Sequence, residues 1–160
     1  EFNAELLDAM RTVPAELWVV GDRLPSDRGT DLAPHFAAFA ATGRLRLLGY
    51  RDDVADILAA ADIFALPSHF EGLPMSVIEA MLAGLPVVAS DIRGPREQVV
   101  HEATGLLVPV RDAAALAAAL SRLATDAPLR ARMGQAGLAR ARETFDESRI
   151  VARTLDLMGL

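Results

Sequence analysis

Short apolar runs alternate with segments of helical spacing along most of the chain. The apolar runs fall at 17–20, 45–48, 63–66, 87–89 and 105–108, and several of them stop at a glycine or a proline. Between the runs, segments 31–42, 54–61, 75–82 and 93–100 repeat apolar residues at the spacing of a helix face. Strands that are apolar on both faces and alternate with helices predict a parallel sheet covered by helices on both sides, an α/β fold of the Rossmann-like kind.

The two ends of the chain predict helices. Phe2, Leu6, Leu7 and Met10 are spaced as on one helix face. Beyond residue 112, stretches rich in Ala, Leu and Arg at 112–125, 128–143 and 146–158 predict three more helices. Asp112 and Asp146 are the expected N-caps, and Pro128 suits a first turn. The arginines of the 128–143 stretch are expected on a solvent-exposed face: Arg130, Arg132, Arg140 and Arg142.

Length and composition narrow the classes of function. The 160 residues carry no internal repeat and no linker, so we expect one domain over residues 1–160. All 16 basic residues are Arg, Cys is absent and the net charge is −6, with an isoelectric point of about 5.0. The acidic balance argues against nucleic-acid binding, and the missing Lys and Cys exclude Schiff-base and thiolate chemistry within these residues. No apolar run reaches ~18 residues and no signal peptide is visible, so we expect no transmembrane segment and a cytoplasmic location.

Ligands of parallel α/β sheets bind outside the carboxyl ends of the strands. The sequence therefore predicts a site among the loops at 21–30, 49–53, 67–74 and 90–95. The loop at 67–74 carries the most chemistry, because a strand ends at Leu66 and a helix is expected to begin near Met75. Unpaired backbone N–H groups and the dipole at a helix start attract anions, and Gly72 would let a phosphate approach closely.

Two glutamates flank this predicted anion site, and each has an alternative explanation. Glu79 could accept hydrogen bonds from ribose hydroxyls, but Ser76-x-x-Glu79 also fits a capping box that merely satisfies the helix start. Pro74 favours an earlier helix start than that box requires. Glu71 could contact a sugar or be an ordinary solvated loop acid. A glycosidase pair is disfavoured, because eight residues of helix separate the carboxylates by ~12 Å where such enzymes use ~5–9.5 Å.

The order of motifs resembles the donor-binding domain of family 4 retaining glycosyltransferases. Glu71 and Glu79 form the family's E-x7-E pattern, and the resemblance extends over almost the whole chain. The resembling phrases are ADIFALPS at 61–68, FEGLP at 70–74, EAMLAGLPVVAS at 79–90 and TGLLV at 104–108, with LWVVGD at 17–22 and the segment 44–53 as weaker matches.

This resemblance implies one half of a GT-B glycosyltransferase, in which two Rossmann-like domains face each other. Glu79 would bind the ribose, and Glu71 would contact donor-sugar hydroxyls without acting as a nucleophile. The donor would be a nucleotide-diphosphate sugar, and the segment 90–94 resembles members that use UDP-sugars. No metal or other cofactor is expected. The remaining residues implied to contact the donor are Gly72, Leu73, Pro74, Met75 and Ser76 for the sugar and diphosphate, and Gly21, Tyr50, Arg51 and Asp52 near the base.

The chain also departs from the family pattern. The family places an Arg and a Lys for the diphosphate just before the helix that residues 2–10 resemble, so we expect that clamp, the first strand and the N-terminal acceptor domain to lie outside these residues. The isolated chain would then bind donor weakly and transfer no sugar. The whole protein would transfer to a glycan or lipid-linked acceptor in polysaccharide or glycoconjugate synthesis, with peripheral membrane contact. The alternatives are a non-catalytic nucleotide-binding regulatory or scaffold module, and a flavodoxin-like or receiver domain, which the missing Lys disfavours.

Overall fold

A computed structural model of the chain describes residues 4–21, 33–146, 151 and 155–158. Within this part, the strands are β1 (Leu17–Val20), β2 (Leu45–Gly49), β3 (Phe64–Leu66), β4 (Val87–Ser90) and β5 (Gly105–Val108). The helices are α1 (Ala4–Met10), α2 (Ala33–Ala40), α3 (Val54–Ala60), α4 (Met75–Leu82), α5 (Arg93–Gln98), α6 (Ala113–Thr125) and α7 (Ala127–Thr144). The predicted elements are confirmed with shifts of about two residues at their ends. The helix predicted over 146–158 lies largely outside the described residues, of which 155–158 are helical.

All strand pairings are parallel, as the alternation of strands and helices predicts. β1 pairs with β2, and β4 lies between β3 and β5. We expected one continuous sheet, but no strand pairing among the described residues joins the β1–β2 sheet to the β3–β4–β5 sheet. One apolar cluster nevertheless contains side chains from both sheets, including Leu17 and Leu45 from the first and Val88 and Leu106 from the second. Within the described residues, the two sheets therefore share a core without a strand pairing between them.

Helices cover both faces of the β3–β4–β5 sheet. Val88 of β4 packs into the cluster with α1, α2 and α6, whereas its neighbours Val87 and Ala89 pack into a second cluster with α3, α4 and α7. This alternation follows from the pleat, which points successive side chains to opposite faces. β4 is buried along its whole length. The central strand thus has the double cover that its uniformly apolar sequence predicts.

The prediction that β1 is a buried strand was wrong for one of its faces. Its residues alternate between half-buried and exposed, and Trp18 and Val20 are 37% and 40% exposed. Leu17, on the other face, packs against the cluster that contains α1 and α6. An apolar run indicates that each of its residues tolerates burial, but it cannot show whether a helix covers each face of the strand.

Side-chain caps fix the two long helices after the last strand. Asp112 caps α6, since its Oδ1 accepts a hydrogen bond from the backbone N–H of Ala115 at 2.8 Å, which confirms the predicted cap. Asp126 caps α7 in the same way through the Leu129 N–H at 2.9 Å, and Pro128 lies in the first turn as predicted.

Two arginines of α7 do not belong to the solvent-exposed face that the sequence pattern predicts. Arg130 donates to the carbonyl oxygens of Leu123 and Ala124 at the end of α6, at 2.7 and 3.0 Å. Arg140 donates to the carbonyl oxygens of Glu97 and Gln98 at 2.8 Å each. Helix ends leave carbonyl oxygens without partners inside the helix, and a cation suits them. Helical spacing shows which residues share a face but not which helix end lies opposite.

Candidate functional site

The β3–α4 loop leads directly from a buried strand to a helix start with no side-chain cap. Pro74 is the residue before α4 and has extended backbone, and no side-chain hydrogen bond caps the helix within the described residues. Gly72, Leu73 and Met75 are exposed, whereas Pro74 is buried. The N–H groups of Met75 and Ser76 come too early in α4 to find acceptors inside the helix, whereas the N–H of Val77 donates to the Pro74 carbonyl oxygen at 3.2 Å. This exposed start therefore has the geometry of an anion site.

The capping-box alternative for Ser76 and Glu79 is wrong. Helix α4 begins at Met75, so Ser76 is its second residue and cannot be the N-cap. Glu79 is the fifth residue of α4, too far along for its side chain to reach back as a box requires. Its side chain is exposed to solvent. Pro74 sets this start, since its fixed φ suits the entry to a helix and its missing N–H costs nothing there.

Glu71 lies half-buried in the same loop, between exposed Phe70 and exposed Gly72. The backbone of this turn touches helix α5 closely. A Cβ placed on Gly94 would lie 2.3 Å from the carbonyl oxygen of Gly72 and 3.1 Å from that of Glu71. A glycine at the start of α5 therefore allows the Glu71–Gly72 turn to rest directly on that helix. Gly72 itself has no atom within 4 Å of the position its Cβ would take.

The loops after β1 and β2 lie side by side. The backbone N–H of Gly21 donates to the carbonyl oxygen of Gly49 at 2.8 Å. Both glycines have positive φ, +107° and +66°, which other residues adopt at a cost. Tyr50 follows directly and is 81% exposed. Residues 22–32, which include most of the predicted 21–30 loop, lie outside the described residues.

Arg51 has a partner within its own loop. Its Nε and a terminal nitrogen bind both carboxylate oxygens of Asp53 at 2.7 and 2.5 Å. This two-point contact lowers the pKa of the Asp53 carboxyl below its ordinary value. Asp52 lies between them and is exposed. This exposed ion pair joins two positions of the loop that follows β2, immediately after Tyr50.

The contacts of helix α1 show how the loop after β3 lies relative to the loops after β1 and β2. At its first turn, Glu5 Oε1 lies 3.1 Å from Nε2 of His69, in the loop after β3. At its other end, Arg44 donates to the carbonyl oxygens of Met10 and Arg11, at 3.2 and 3.3 Å, from a position just before β2. The start of α1 therefore lies at the carboxyl edge of β3, and its end lies at the amino edge of β2. The loops that follow β1, β2 and β3 consequently face the same edge of the domain.

The loop after β4 completes this edge. Ser90 is buried, and Asp91 pairs with Arg96 through Oδ1 and Nε at 2.6 Å. That hydrogen bond lowers the pKa of the Asp91 carboxyl. Arg93 pairs with Glu97 four residues on, at 3.7 Å. Both pairs lie on the surface beside the start of α5.

Two residues that shape this site were not singled out from the sequence as doing so. Glu5 contacts His69 from 64 positions away, which no local pattern reveals. Gln98 is fully buried and donates to the carbonyl oxygen of Pro74 at 3.0 Å. The available signal for Gln98 was a polar residue directly before the apolar pair Val99 and Val100. The cleft lined by Leu7, Asp8, Arg11, His35, Ala38, Phe39 and Thr42, between α1 and α2, contains none of the predicted site residues.

Parallel strands, helices on both sides and loops gathered at the carboxyl edge define a Rossmann-like α/β domain. The family model described as "Glycosyl transferases group 1" matches residues 2–126, and the chain belongs to this family. Its fold is that of one half of a GT-B glycosyltransferase.

Curated relatives act in the synthesis of bacterial glycans. The chain is 33% identical over 155 residues to the lipopolysaccharide core biosynthesis glycosyltransferase LpsD of Rhizobium meliloti, covering 96% of this chain and 44% of the relative. It is 42% identical over 83 residues to the Escherichia coli UDP-Gal:alpha-D-GlcNAc-diphosphoundecaprenol alpha-1,3-galactosyltransferase, covering 52% of this chain and 21% of that protein. The chain therefore spans less than half the length of these relatives.

The solved structures include Anabaena Alr3699/HepE in complex with UDP. It superposes with a TM-score of 0.90 at 28% identity, over 97% of this chain and 44% of that one. The same protein in complex with UDP-glucose gives a TM-score of 0.88. In the part of our chain that the structure describes, no helix is long and apolar enough to span a bilayer. The same part holds no cluster of three or more acidic or histidine side chains suited to a metal ion.

Proposed function

We propose that residues 1–160 are the C-terminal nucleotide-sugar-binding domain of a retaining family 4 glycosyltransferase. The donor is a UDP-sugar, and the product is a bacterial polysaccharide or glycoconjugate. The observation that carries this proposal is the uncapped, exposed start of α4 at the carboxyl edge, in a domain similar to part of a protein solved in complex with UDP and with UDP-glucose. The relative from E. coli, whose name specifies UDP-Gal, supports the same choice of nucleotide.

The start of α4 binds the diphosphate and the sugar in this proposal. The exposed backbone from Gly72 to Ser76 approaches both groups, and the open space above Gly72 gives the donor room to lie against the chain. The helix dipole adds about 0.3–1 kcal/mol to anion binding at such a surface. Glu71 orients the donor sugar through its hydroxyls, and exposed Glu79 binds the ribose.

The nucleobase lies near the loops after β1 and β2. Gly21, Tyr50, Arg51 and Asp52 adjoin it in this proposal, with the exposed Tyr50 ring available for stacking. The paired state of Arg51 refines its role. Because its guanidinium binds Asp53 at two points, Arg51 supports the loop and leaves Tyr50 and the backbone to contact the base.

A further strand, together with an upstream acceptor domain, completes the enzyme. The chain covers 44% of LpsD and of HepE, which leaves room for a second domain. In the described residues β1 pairs on one side only, with β2, and β3 pairs on one side only, with β4. A strand that precedes α1 would pair beside β1, since crossover connections between parallel strands are right-handed. We propose that this strand lies between β1 and β3 and brings the Arg and Lys that clamp the diphosphate.

Transfer with retention needs the charge on the departing diphosphate to be stabilised while the sugar becomes oxocarbenium-like. Fixed donors aimed at a developing charge contribute several kcal/mol. The amides at the start of α4 provide part of this stabilisation, and the proposed upstream Arg and Lys provide full positive charges. The isolated chain therefore binds the donor weakly and does not transfer sugar. Lipid-linked acceptors would place the whole enzyme at a membrane surface.

Calorimetric titration of the chain with UDP, GDP and ADP tests the binding site. We expect UDP to bind more tightly than the other two. Glu79→Gln should weaken UDP binding about tenfold, whereas Glu143→Gln, which changes another exposed glutamate, on α7, should leave it unchanged. Equal effects of the two substitutions would remove the ribose role from Glu79.

Sugar transfer by the full-length protein separates an enzyme from a scaffold module. Glu71→Ala should lower kcat strongly while UDP binding stays close to wild type, since Glu71 faces the sugar and not the nucleotide. Transfer at the wild-type rate would refute the role of Glu71. A full-length protein that binds UDP but transfers no sugar to glycan or lipid-linked acceptors would favour the scaffold alternative.

A further inference from the structure

Gln98 is a fully buried amide that contacts the start of α4. Its Nε2 donates to the carbonyl oxygen of Pro74 at 3.0 Å, and it lies in the last position of α5. The orientation of the amide is determined, because a carbonyl oxygen can only accept. The same Pro74 oxygen accepts from the backbone N–H of Val77 at 3.2 Å, in the first turn of α4. Gln98 therefore binds the same carbonyl oxygen that accepts the first backbone hydrogen bond of α4.

The amide is costly at this position. Gln98 Oε1 is buried and has no hydrogen-bond partner within the described part of the chain. A buried acceptor without a partner loses its hydration and gains nothing in return. A leucine would fill a similar volume without that loss. The contact that distinguishes Gln98 from leucine is the hydrogen bond to Pro74.

Helix α5 is itself held firmly enough to serve as a support. Arg140 of α7 donates to the carbonyl oxygens of Glu97 and Gln98 at 2.8 Å each. At the other end of α5, Gly94 lies against the carbonyl oxygen of Gly72. The Glu71–Pro74 turn thus rests on α5 at two points, through Gly94 and through Gln98.

We propose that Gln98 is a positioning residue for the nucleotide: through the Pro74 carbonyl it fixes the direction of the first-turn amides of α4. This inference rests on the proposed function, because those amides are the ones that would meet the diphosphate. Gln98 does not touch the donor itself. Its effect is on affinity for the nucleotide, through a preorganised helix start.

Three variants separate positioning from packing. Gln98→Leu keeps the volume and removes the donor. Gln98→Glu restores a donor only while the new carboxyl is protonated, and burial raises the pKa of such a group. Thr104→Val is the matched control, because it removes a hydrogen bond made by another buried polar side chain, from the Val100 N–H to Thr104 Oγ1 at 2.9 Å, at the amino edge of β5.

UDP affinity is measured by calorimetry from pH 5 to pH 8, and each variant is compared with wild type at the same pH. Gln98→Leu should weaken UDP binding about 3- to 10-fold at every pH. Gln98→Glu should approach wild type at low pH and weaken as pH rises. Charged groups near this position include Arg140 on α7 and Glu97 and Arg93 on α5, and all three are present in wild type and in every variant.

A second measurement does not need the nucleotide. Hydrogen exchange of the Val77 amide, followed by NMR, should speed up in Gln98→Leu relative to Thr104→Val. Three results would each overturn the inference. The first is a ratio of the UDP Kd of Gln98→Glu to that of wild type that does not change with pH. The others are UDP binding by Gln98→Leu within twofold of wild type, and equal exchange rates of the Val77 amide in Gln98→Leu and Thr104→Val. If the wild-type chain binds no UDP, the nucleotide proposal fails, and Val77 exchange alone decides whether Gln98 fixes the start of α4.

Discussion

Replacing Gly72 by alanine tests whether a ligand approaches the backbone of the β3–α4 loop. Nothing lies within 4 Å of the position that the new Cβ would take, and Gly72 is not among the glycines with positive φ. The folded protein therefore accommodates the methyl group without a clash. A donor lying against this backbone would not, because the methyl group would occupy the space that the donor needs.

Gly72→Ala should have opposite effects on the free energy of unfolding and on the affinity for the donor. Alanine restricts the unfolded chain, so the free energy of unfolding should stay the same or rise by up to about 1 kcal/mol. That rise corresponds to about 2–4 °C in the thermal midpoint for a chain of this size. A methyl group forced into a close contact costs about 1–3 kcal/mol, which is about 5- to 150-fold in Kd for UDP or a UDP-sugar.

Calorimetric titration and thermal unfolding of the same preparation provide the assay. Gly134→Ala is the matched control, since its Cβ would lie 2.0 Å from the carbonyl oxygen of Gly84, away from the loop. We expect that variant to lose stability and, while folded, to bind UDP within twofold of wild type. UDP binding by Gly72→Ala at wild-type affinity, with stability unchanged, would refute a close approach of the donor to Gly72.

Three further predictions concern the framework around the site. Arg44→Met should cost about 1.5–3 kcal/mol in unfolding free energy, seen in urea titration, because the guanidinium binds carbonyl oxygens at the end of α1; a loss below about 0.5 kcal/mol would contradict this. Asp112→Ala should cost about 1 kcal/mol through the lost α6 cap, with UDP affinity unchanged. For Asp91, whose pKa is lowered in the folded state by Arg96, the pair's stabilisation is present above the ordinary carboxyl pKa and is lost as pH falls through the lowered value. The difference in thermal midpoint between wild type and Asp91→Asn should therefore be largest near neutral pH and vanish in acid; a constant difference would contradict the linkage.

Local chemistry made the element boundaries predictable. Pro74 and Met75 fix the start of α4, and Asp112 fixes the start of α6, because each uses only interactions between residues close in sequence. The apolar run at 87–89 also predicted β4 as a covered strand, but the same kind of run in β1 did not lead to cover on both faces. The position of the loop that carries Glu71 and Gly72 could be predicted from those boundaries.

Contacts between distant segments were not predictable in the same way. Three contacts depend on how helices and loops are placed in three dimensions. They are the Glu5–His69 pair, the contacts of Arg44 with the end of α1 and those of Arg140 with the end of α5. The exposed face of β1 has the same origin, because cover by a helix is a property of the assembled fold. The roles of Glu71, Glu79 and the residues near the base stay predictions until a nucleotide is bound.

In the part of the chain that the structure describes, β1 and β3 each pair on one side only, which has a practical consequence for producing residues 1–160 alone. Strand edges that offer free N–H and C=O groups recruit other chains, and proteins usually protect them with charges, prolines or cover. The exposed side chains on β1 are Trp18 and Val20, and exposed apolar side chains favour association with other chains. Oligomers and precipitation during purification are therefore to be expected, and a lysine at position 20 would be a rational first remedy.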